Sequence, residues 1–378
     1  EPRYLGSGYL CNTQIILKYM IALMDCNNFY VSCERLFNPK LINKPVIVLS
    51  NNDGCVISRS EEAKNIGIKM GEPFFKIKNI IKRGNVFVLS SNYSFYGDIS
   101  NRIMNILKKN LAIVEIYSID EAFFLLDLKN QKEKFCYDLA KKILKWTGIP
   151  VSIGIAKTKT LAKIANRVVK KKELYPGLNM NFNNVLSLES DKSINYVLRE
   201  TQTQNIWGIG KQLANFLSIN NVNNAFQLKE LNQNFARKKK GLFLQRSILE
   251  LNGIKCIDIE NNLSEKKSIC VSRSFGKKLN CYEDIKSALI VYTQKAASKM
   301  RSYNFFCRSI TIFLKTSKYQ SKIYSNHKTY SLLEATNDTR IIWKISQKLL
   351  QKIYKENFFY SKAGIIISDF SINTNIQQ

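Results

Sequence analysis

Residues 115–128 read EIYSIDEAFFLLDL, a stretch that sets the adjacent carboxylates Asp120 and Glu121 between two apolar runs. The runs, 112–116 and 122–128, are rich in β-branched and aromatic residues and are too short for independent helices. Each therefore predicts a mostly buried strand. Neighbouring side chains on a regular strand point to opposite faces, so the two carboxylates can converge on one cation only where the backbone leaves regular pleating. The turn of a hairpin is such a place.

Two carboxylates suit Mg²⁺, which takes oxygen ligands, keeps several waters and commonly binds substrate phosphates as well. An Asp-Glu pair on its own is more often an ordinary solvated turn, so a metal site needs a third acid from another part of the chain. Asp25 is the candidate, because it ends the apolar, strand-like run 21–24. Phe29 and Tyr30 open the helix that follows, where aromatic side chains usually serve core packing.

The charge of the chain predicts a polyanionic partner. Its 58 Lys and Arg residues face 29 Asp and Glu residues, giving a formal net charge of +29 and a pI of about 9.7. Such an excess is larger than solubility requires. The basic residues recur along the whole chain, which favours a groove built from several domains over a disordered basic arm. A generally basic surface without a dedicated partner is the alternative.

The composition also excludes several classes. One histidine, His327, leaves no basis for histidine-activated nucleophiles or His-rich metal sites. The nine cysteines are scattered without a Cys-x-x-Cys pair and indicate reduced thiols in the cytoplasm. No apolar run reaches the ~18 residues of a membrane span, and residues 15–24 lack the cleavage pattern of a signal peptide. Met20 is the expected natural start.

A basic helix is predicted after the apolar strand 151–155. Lys159, Lys163, Arg167 and Lys170 follow one another at spacings of four, four and three residues, so they lie along one stripe of that helix. A solvated lysine face is the commoner use of such a stripe.

Four stretches carry a resemblance to a known family. They are Asp25 with NFY at 28–30, LSNNDGCVI at 49–57, SSNY at 90–93 and YSIDEAF at 117–123. In this order and spacing the set resembles the Y-family DNA polymerases, and within them the UmuC branch, over residues 20–370. The sequence IWGIGK at 206–211 is similar to the helix-hairpin-helix of that family.

The resemblance implies an α+β multidomain protein with the right-hand arrangement of polymerases. Its parts are a ferredoxin-like palm, small fingers, a helical helix-hairpin-helix thumb and a ferredoxin-like little finger. The expected bounds are 1–19 for a disordered extension, 20–30 and 92–178 for the palm, 31–91 for the fingers, 179–262 for the thumb, 265–372 for the little finger and 373–378 for a tail.

The activity implied by the resemblance is that of a DNA-directed DNA polymerase. It would carry out template-directed, error-prone synthesis past damaged bases (translesion synthesis) in the SOS response to DNA damage. Two Mg²⁺ ions would assist the transfer of a nucleotide from dNTP to the primer 3′-hydroxyl. The matching catalytic and metal-binding residues are Asp25, Asp120 and Glu121, with the backbone carbonyl of Cys26 as a further ligand.

The family pattern also assigns nucleotide-binding residues: Phe29, Tyr30, Arg59, Lys64 and Lys170. Tyr30 matches the steric gate, an aromatic ring beneath the sugar that leaves no space for a 2′-hydroxyl. Many relatives carry a phosphate-contacting tyrosine three residues before the position of Lys64. Glu61 stands there in this chain, and this departure puts that phosphate contact in doubt.

DNA contacts are expected in two places. Gly208, Gly210 and Lys211 match the helix-hairpin-helix, whose free N–H groups bind backbone phosphates without reading sequence. Arg273 and Arg308 match strands of the little finger that grip the DNA backbone. A plain helix–helix turn and ordinary surface arginines are the alternative interpretations of these two places.

The expected partners are primer–template DNA and dNTP, together with a processed UmuD dimer and a RecA filament. The family usually carries a short clamp-binding peptide just beyond the little finger, and residues 371–378 contain no such peptide. Little gain from a sliding clamp is therefore expected, and no membrane contact. Two other functions stay open on the sequence: a nucleotidyl cyclase-like palm enzyme and a non-catalytic DNA-binding protein. The intact acidic set and the basic charge favour the polymerase.

Overall fold

The computed structural model describes residues 19–51, 54–127, 131–260, 266–317 and 320–372. The predicted N-terminal extension, apart from Tyr19, and the predicted tail lie outside these ranges. The described residues separate into two units. The first takes in residues 19–48, 57–72 and 76–260, and the second takes in 49–56, 73–75 and 266–372, both with the gaps just given.

The palm of the first unit is a five-stranded sheet in the order β5-β6-β1-β7-β8. Its strands are β1 Tyr19–Cys26, β5 Val114–Ile116, β6 Glu121–Asp127, β7 Val151–Ala156 and β8 Val185–Leu188. The first four follow the strand–helix–strand–strand–helix–strand connection of a ferredoxin-like fold. The fifth, β8, pairs in parallel with β7. The predicted palm boundary at 178 therefore falls before a strand that belongs to the palm sheet, a short apolar run that covers the free edge of β7.

The palm sheet is buried on both faces, which explains the continuous apolar runs of its strands. Along β1, Met20, Ala22 and Met24 belong to one hydrophobic cluster, whereas Ile21 and Leu23 belong to a second. The first cluster lies under helices α1 (Phe29–Phe37), α4 (Tyr93–Asn110) and α5 (Lys132–Thr147), and the second under α6 (Lys159–Lys170) and the thumb helices. β1 is therefore fixed from both sides, and so is Asp25 near its end.

Gly154 in β7 lies directly under α6. A Cβ built at this position would stand 2.2 Å from the Asn166 nitrogen and 2.4 Å from the Ala162 carbonyl oxygen. Backbone atoms cannot move aside cheaply, so a methyl group here overpacks the contact between strand and helix.

Gly154→Ala is expected to destabilise the protein by about 2–3 kcal/mol because of this overpacking. Thermal unfolding measures the effect. Gly97→Ala in α4 is the matched control, since nothing lies within 4 Å of a Cβ at Gly97; a gain of roughly 0.5–1 kcal/mol is expected there. If Gly154→Ala and Gly97→Ala were equally stable, the close contact between Gly154 and α6 would be contradicted.

The fingers hold a three-stranded sheet in the order β3-β2-β4. Its strands are β2 Val46–Leu49, β3 Val56–Arg59 and β4 Phe87–Ser90, and the helices are α2 Glu61–Asn65 and α3 Phe74–Arg83. Helix α2 begins directly after Ser60. Ser60 caps it, because its side chain accepts a hydrogen bond from the Ala63 N–H.

The thumb is helical, as predicted. Its helices are α7 Asp191–Glu200, α8 Lys211–Ile219, α9 Ala225–Glu230, α10 Gln233–Lys240 and α11 Leu242–Leu251. Their apolar side chains join the second palm cluster, among them Leu217, Leu244 and Leu251. Thumb and palm therefore share one core.

The second unit is a four-stranded sheet in the order β11-β10-β12-β9, with every neighbouring pair antiparallel. Its elements are β9 Ser268–Leu279, α12 Tyr282–Arg301, β10 Phe305–Thr316, β11 Ser325–Thr336, α13 Thr339–Ile353 and β12 Tyr360–Ile372. The predicted element order is confirmed. Its interior strands are β10 and β12, whereas the interior strands of the palm sheet are β6, β1 and β7. The sequence gives no strand signal for β11, because none of its residues is buried and it shows no apolar alternation.

The eight cysteines that fall in the described ranges are all free thiols. Among the helices of those same ranges, none is long and apolar enough to cross a membrane.

Candidate active site

The acidic hairpin has the irregular turn that the sequence predicted. Ser118 organises it: its hydroxyl donates to Asp120 Oδ1 at 2.6 Å and accepts from the Glu121 N–H at 3.0 Å. The N–H groups of Tyr117 and Ser118 both donate to the Glu121 carbonyl. Asp120 lies before β6 and its carbonyl accepts from the Cys26 N–H at 2.9 Å. The turn is thereby tied to the end of β1.

Strand register brings two of the predicted carboxylates together. Asp25 of β1 stands directly opposite Glu121 of β6. Like charges at opposed positions on neighbouring strands repel. Two cations of α6 offset this repulsion: Lys170 forms an ion pair with Asp25, and Lys163 Nζ lies 2.8 Å from Glu121 Oε2.

The Asp25 carboxyl has too little positive charge around it. Burial and, to a smaller extent, the charge of Glu121 together raise its pKa to about 7, even though Lys170 acts to lower it. Since a nearby cation favours the ionised form, the position would gain from additional positive charge.

Within the described ranges, no three acidic, histidine or cysteine side chains are grouped closely enough to hold a metal ion. Each of the three predicted carboxylates has a partner in the structure: Lys170 pairs with Asp25, Lys163 pairs with Glu121, and the Ser118 hydroxyl donates to Asp120. The donor chemistry nevertheless fits Mg²⁺, since carboxylate oxygens are its preferred ligands and Asp25 needs positive charge. Burial raises the pKa of the Cys26 thiol, so only its backbone carbonyl stays a predicted ligand.

A cavity of about 340 Å³ lies beside these carboxylates. All five predicted nucleotide-binding residues line it, and so do Asp25, Cys26 and Asp120. Its lining consists of Asp25, Cys26, Asn28, Phe29, Tyr30, Ile57, Ser58, Arg59, Lys64, Met70, Asp120 and Lys170. A second cleft of about 740 Å³ is lined by Asp25, Glu121, Lys64 and Lys170, among others. Both volumes suit a small molecule.

The ring of Tyr30 has a fixed position at this cavity. It stacks on Tyr96 with ring centroids 4.5 Å apart and an interplanar angle of 18°, and it meets the ring of Tyr93 edge-on at 6.0 Å. Tyr96 is itself held, because its hydroxyl donates to Glu34 Oε1 at 2.6 Å. Burial raises the pKa of Tyr30, so the ring stays neutral. The Tyr30 ring therefore contributes to packing, in addition to any role in nucleotide binding.

The cations of the fingers differ in how they are bound. Arg59 donates from Nη1 to the Ile68 carbonyl, while its Nε has no hydrogen-bond partner within the part of the chain that the structure describes. Lys64 Nζ donates to Asn28 Oδ1 at 2.7 Å and to Glu61 Oε1 at 2.5 Å. Glu61, the departure from the family pattern, is therefore bonded to the predicted phosphate-binding lysine.

The basic stripe of α6 is not a solvated lysine face. It runs along the acidic side of the palm, where Lys159 pairs with Glu115, Lys163 with Glu121 and Lys170 with Asp25. Lys159 and Glu115 are both nearly buried. The spacing of the basic residues predicted the stripe, but it could not show which charges the stripe would meet.

Sequence reasoning missed Glu250, a fully buried thumb carboxylate. Its Oε2 accepts from the Thr160 N–H at 3.0 Å, and its Oε1 accepts from the Cys256 N–H at 2.8 Å. These bonds fix the start of α6 to the end of the thumb. A lone glutamate on a helix gives no signal of such a role.

Trp207, also missed, belongs to the surroundings of Glu121. Lys163 Nζ lies 4.6 Å from the ring centroid of Tyr117, 5.4 Å from that of Trp207 and 5.6 Å from that of Phe123. The Trp207 Nε1–H donates to the Tyr117 hydroxyl at 3.2 Å. Aromatic faces attract cations, so these rings help to hold Lys163 against the carboxylate.

The predicted helix-hairpin-helix loop has the expected backbone. Gly208 has φ +81°, a backbone conformation that favours glycine, and a Cβ there would stand 2.3 Å from the Phe243 ring. Gly210 precedes α8, and Lys211 is the first residue of that helix. The first N–H groups of α8 lack intrahelical acceptors, as at any helix start, which suits a phosphate.

Both predicted DNA-binding arginines of the second unit are exposed. Arg273 lies on the edge strand β9, opposite Ala363. Arg308 lies at a register shift in β10, between Cys307 and Ser309. Both arginines stay predicted DNA contacts.

The chain matches the impB/mucB/samB family over residues 24–167 and the C-terminal domain of that family over residues 266–378. It is 39% identical to the protein UmuC of Salmonella typhimurium over 356 residues, which cover 93% of this chain and 83% of that protein. It is 38% identical to the protein ImpB of the same organism, with the same coverage. It is also 27% identical to DNA polymerase IV of Clostridium kluyveri, covering 93% of this chain and 85% of that protein.

Solved structures agree on the fold. A Y-family DNA polymerase chimera of Dbh and Dpo4 matches with a TM-score of 0.71, and DinB from Sulfolobus solfataricus matches with 0.56. Each is 22% identical, and each match covers 94% of this chain and all of the other. The fold is that of a Y-family DNA polymerase. The chain belongs to the impB/mucB/samB family.

Proposed function

We propose that this chain is a DNA-directed DNA polymerase that carries out error-prone translesion synthesis in the SOS response to DNA damage. The observation that carries the proposal is the 340 Å³ cavity, which brings the five predicted nucleotide-binding residues together with Asp25 and Asp120. The family, the Y-family fold and the net charge of +29 support it.

Each part of the cavity suits one part of a dNTP. Arg59, Lys64 and Lys170 supply positive charge for the triphosphate. The Tyr30 ring, held by Tyr96, offers a flat apolar wall for the sugar. Asp25 lies at the same cavity, where the primer 3′-hydroxyl would attack. The protein contributes mainly positioning and charge, which suffices for phosphoryl transfer.

Asp25, Asp120 and Glu121, with the Cys26 carbonyl, would hold two Mg²⁺ ions. Bound there, the ions would activate the 3′-hydroxyl and stabilise the charge of the leaving pyrophosphate. For Asp25 and Glu121 to serve, the ammonium groups of Lys170 and Lys163 must give up their bonds. Once its ion pair with Asp25 is broken, the Lys170 ammonium group can donate hydrogen bonds to a phosphate oxygen.

The other two functions considered are less well supported. A nucleotidyl cyclase does not bind DNA, so it would require neither a thumb whose glycine loop suits DNA phosphates nor the large positive charge. A non-catalytic DNA-binding protein would not need Asp25, near the end of β1, and Asp120, just before β6, to face a cavity of nucleotide size.

Primer extension tests the proposal directly. Purified protein with Mg²⁺, dNTP and a primed template should add nucleotides on a plain template and past an abasic site. Extension that stops at the abasic site would contradict translesion synthesis, and no extension on either template would contradict polymerase activity. Cyclic nucleotide formed without DNA would favour the cyclase instead.

We infer the remaining partners from the family alone. A processed UmuD dimer and a RecA filament would act with this chain. Their effect would be measured as longer products when each is added to the same primer-extension reaction.

A further inference from the structure

One acid of the candidate site has no role in the proposed chemistry. Asp25, Glu61 and Glu121 all line the 740 Å³ cleft. Asp25 and Glu121 are proposed metal ligands, so a bound cation would neutralise them. Glu61 belongs to the fingers and would keep its negative charge when the nucleotide arrives.

Glu61 is part of a closed set of three side chains. Lys64 Nζ donates to Asn28 Oδ1 at 2.7 Å and to Glu61 Oε1 at 2.5 Å, and Asn28 Nδ2 donates to Glu61 Oε1 at 3.2 Å. Two of the three Lys64 protons are thus committed to protein acceptors. Burial acts to raise the pKa of Glu61, but the bonds from Lys64 and Asn28 outweigh it and lower the pKa.

The neighbouring acid is engaged differently. Glu62 Oε2 accepts from Arg35 at 2.9 Å, so its charge is matched by another cation. The two glutamates are adjacent in sequence and in the same helix turn, yet only Glu61 is bonded to the cation that the triphosphate needs.

We propose that Glu61 competes with the nucleotide triphosphate for Lys64 and thereby sets the dNTP concentration that the enzyme requires. The inference rests on the proposed polymerase function. A phosphate oxygen must displace the Glu61 carboxylate from Lys64, or bind Lys64 beside it against the repulsion of like charges. The transition state would form only after this exchange, so the competition acts on binding and leaves the chemical step unchanged.

Single-nucleotide insertion by Glu61→Gln tests the proposal. The KM for dNTP is expected to fall by about two- to fivefold, the size that a partly exposed ion pair gives, with kcat unchanged. The inhibition constant of inorganic tripolyphosphate should fall in parallel, because the competition concerns phosphate alone. Glu62→Gln is the matched control and should leave both constants unchanged.

A double variant shows whether Glu61 acts through Lys64. Lys64→Gln alone should raise the KM, and Glu61→Gln added to it should then have little effect. An unchanged or raised KM in Glu61→Gln, or an equal fall in the Lys64→Gln background, would overturn the proposal. If the wild type extends primers while these constants do not move, only this inference fails. If it does not extend primers at all, the proposed function fails.

Discussion

Replacing Asp120 by alanine is expected to abolish nucleotide addition, and Glu121→Asn to do the same. Each change removes a carboxylate that is proposed to hold Mg²⁺, and a bound metal supplies several kcal/mol of transition-state stabilisation. That loss corresponds to a rate reduction of roughly 10³-fold or more. Single-turnover insertion with saturating primer–template and dNTP measures it.

Primer–template binding should stay nearly intact in both variants, because DNA affinity rests on cations spread along the chain. Titration by fluorescence anisotropy checks this, and the affinity should fall steeply with salt as neutralised phosphates release counterions. Asp98→Ala is the matched control: Asp98 is an exposed acid paired with Arg102 on α4. The site assignment would be wrong if Asp120→Ala inserted nucleotides at the wild-type rate.

Thermal unfolding separates chemistry from folding in Asp120→Ala. The variant loses one hydrogen bond, from Ser118 to Asp120, which is worth about 1.5–3 kcal/mol when the acceptor is charged. A loss of this size leaves most of the protein folded at the assay temperature, so complete loss of insertion would have to come from the site.

Much of the fold could be predicted, because local signals agreed with the final packing. The helix 61–65 has a capping serine before it and a glycine after it, both of which are signals that the sequence shows directly. Strands β1, β5, β6 and β7 of the palm were visible as apolar runs, since the palm sheet packs between two hydrophobic clusters. β11 was not located, because an exposed edge strand needs no apolar period. β8 was not predicted, because a run of only four residues can be recognised as a strand only from its pairing with β7.

The sequence indicated which residues line the candidate site, but it did not indicate how their side chains are arranged. The motifs named Asp25, Lys64 and Lys170, and all three line the same cavity. Which lysine meets which carboxylate depends on strand register and on how α6 lies across the sheet, and both are set by contacts more than 40 residues apart in sequence. The ion pair of Glu61 with Lys64 depends on side-chain geometry within one helix turn. The motif showed only that the usual tyrosine is replaced.

Tyr30→Ala is expected to admit ribonucleotides. A clash in a packed site costs about 1–3 kcal/mol, so removing it should raise the ratio of ribonucleotide to deoxyribonucleotide insertion by roughly 5- to 150-fold. The ratio of kcat/KM for the two sugars with the same base measures the change.

Stability alone cannot decide the role of Tyr30. Its ring stacks on Tyr96 and meets Tyr93, and such aromatic pairs contribute about 0.5–1.5 kcal/mol beyond the area they bury. Tyr30→Ala should therefore lower the melting temperature under either interpretation.

The discriminating variant is Tyr30→Phe, which keeps the ring and the stacking and removes only the hydroxyl. It should exclude ribonucleotides as well as the wild type does, because the proposed clash comes from the ring. If Tyr30→Ala lost stability and still rejected ribonucleotides like the wild type, Tyr30 would be a packing residue and another group would have to exclude the 2′-hydroxyl.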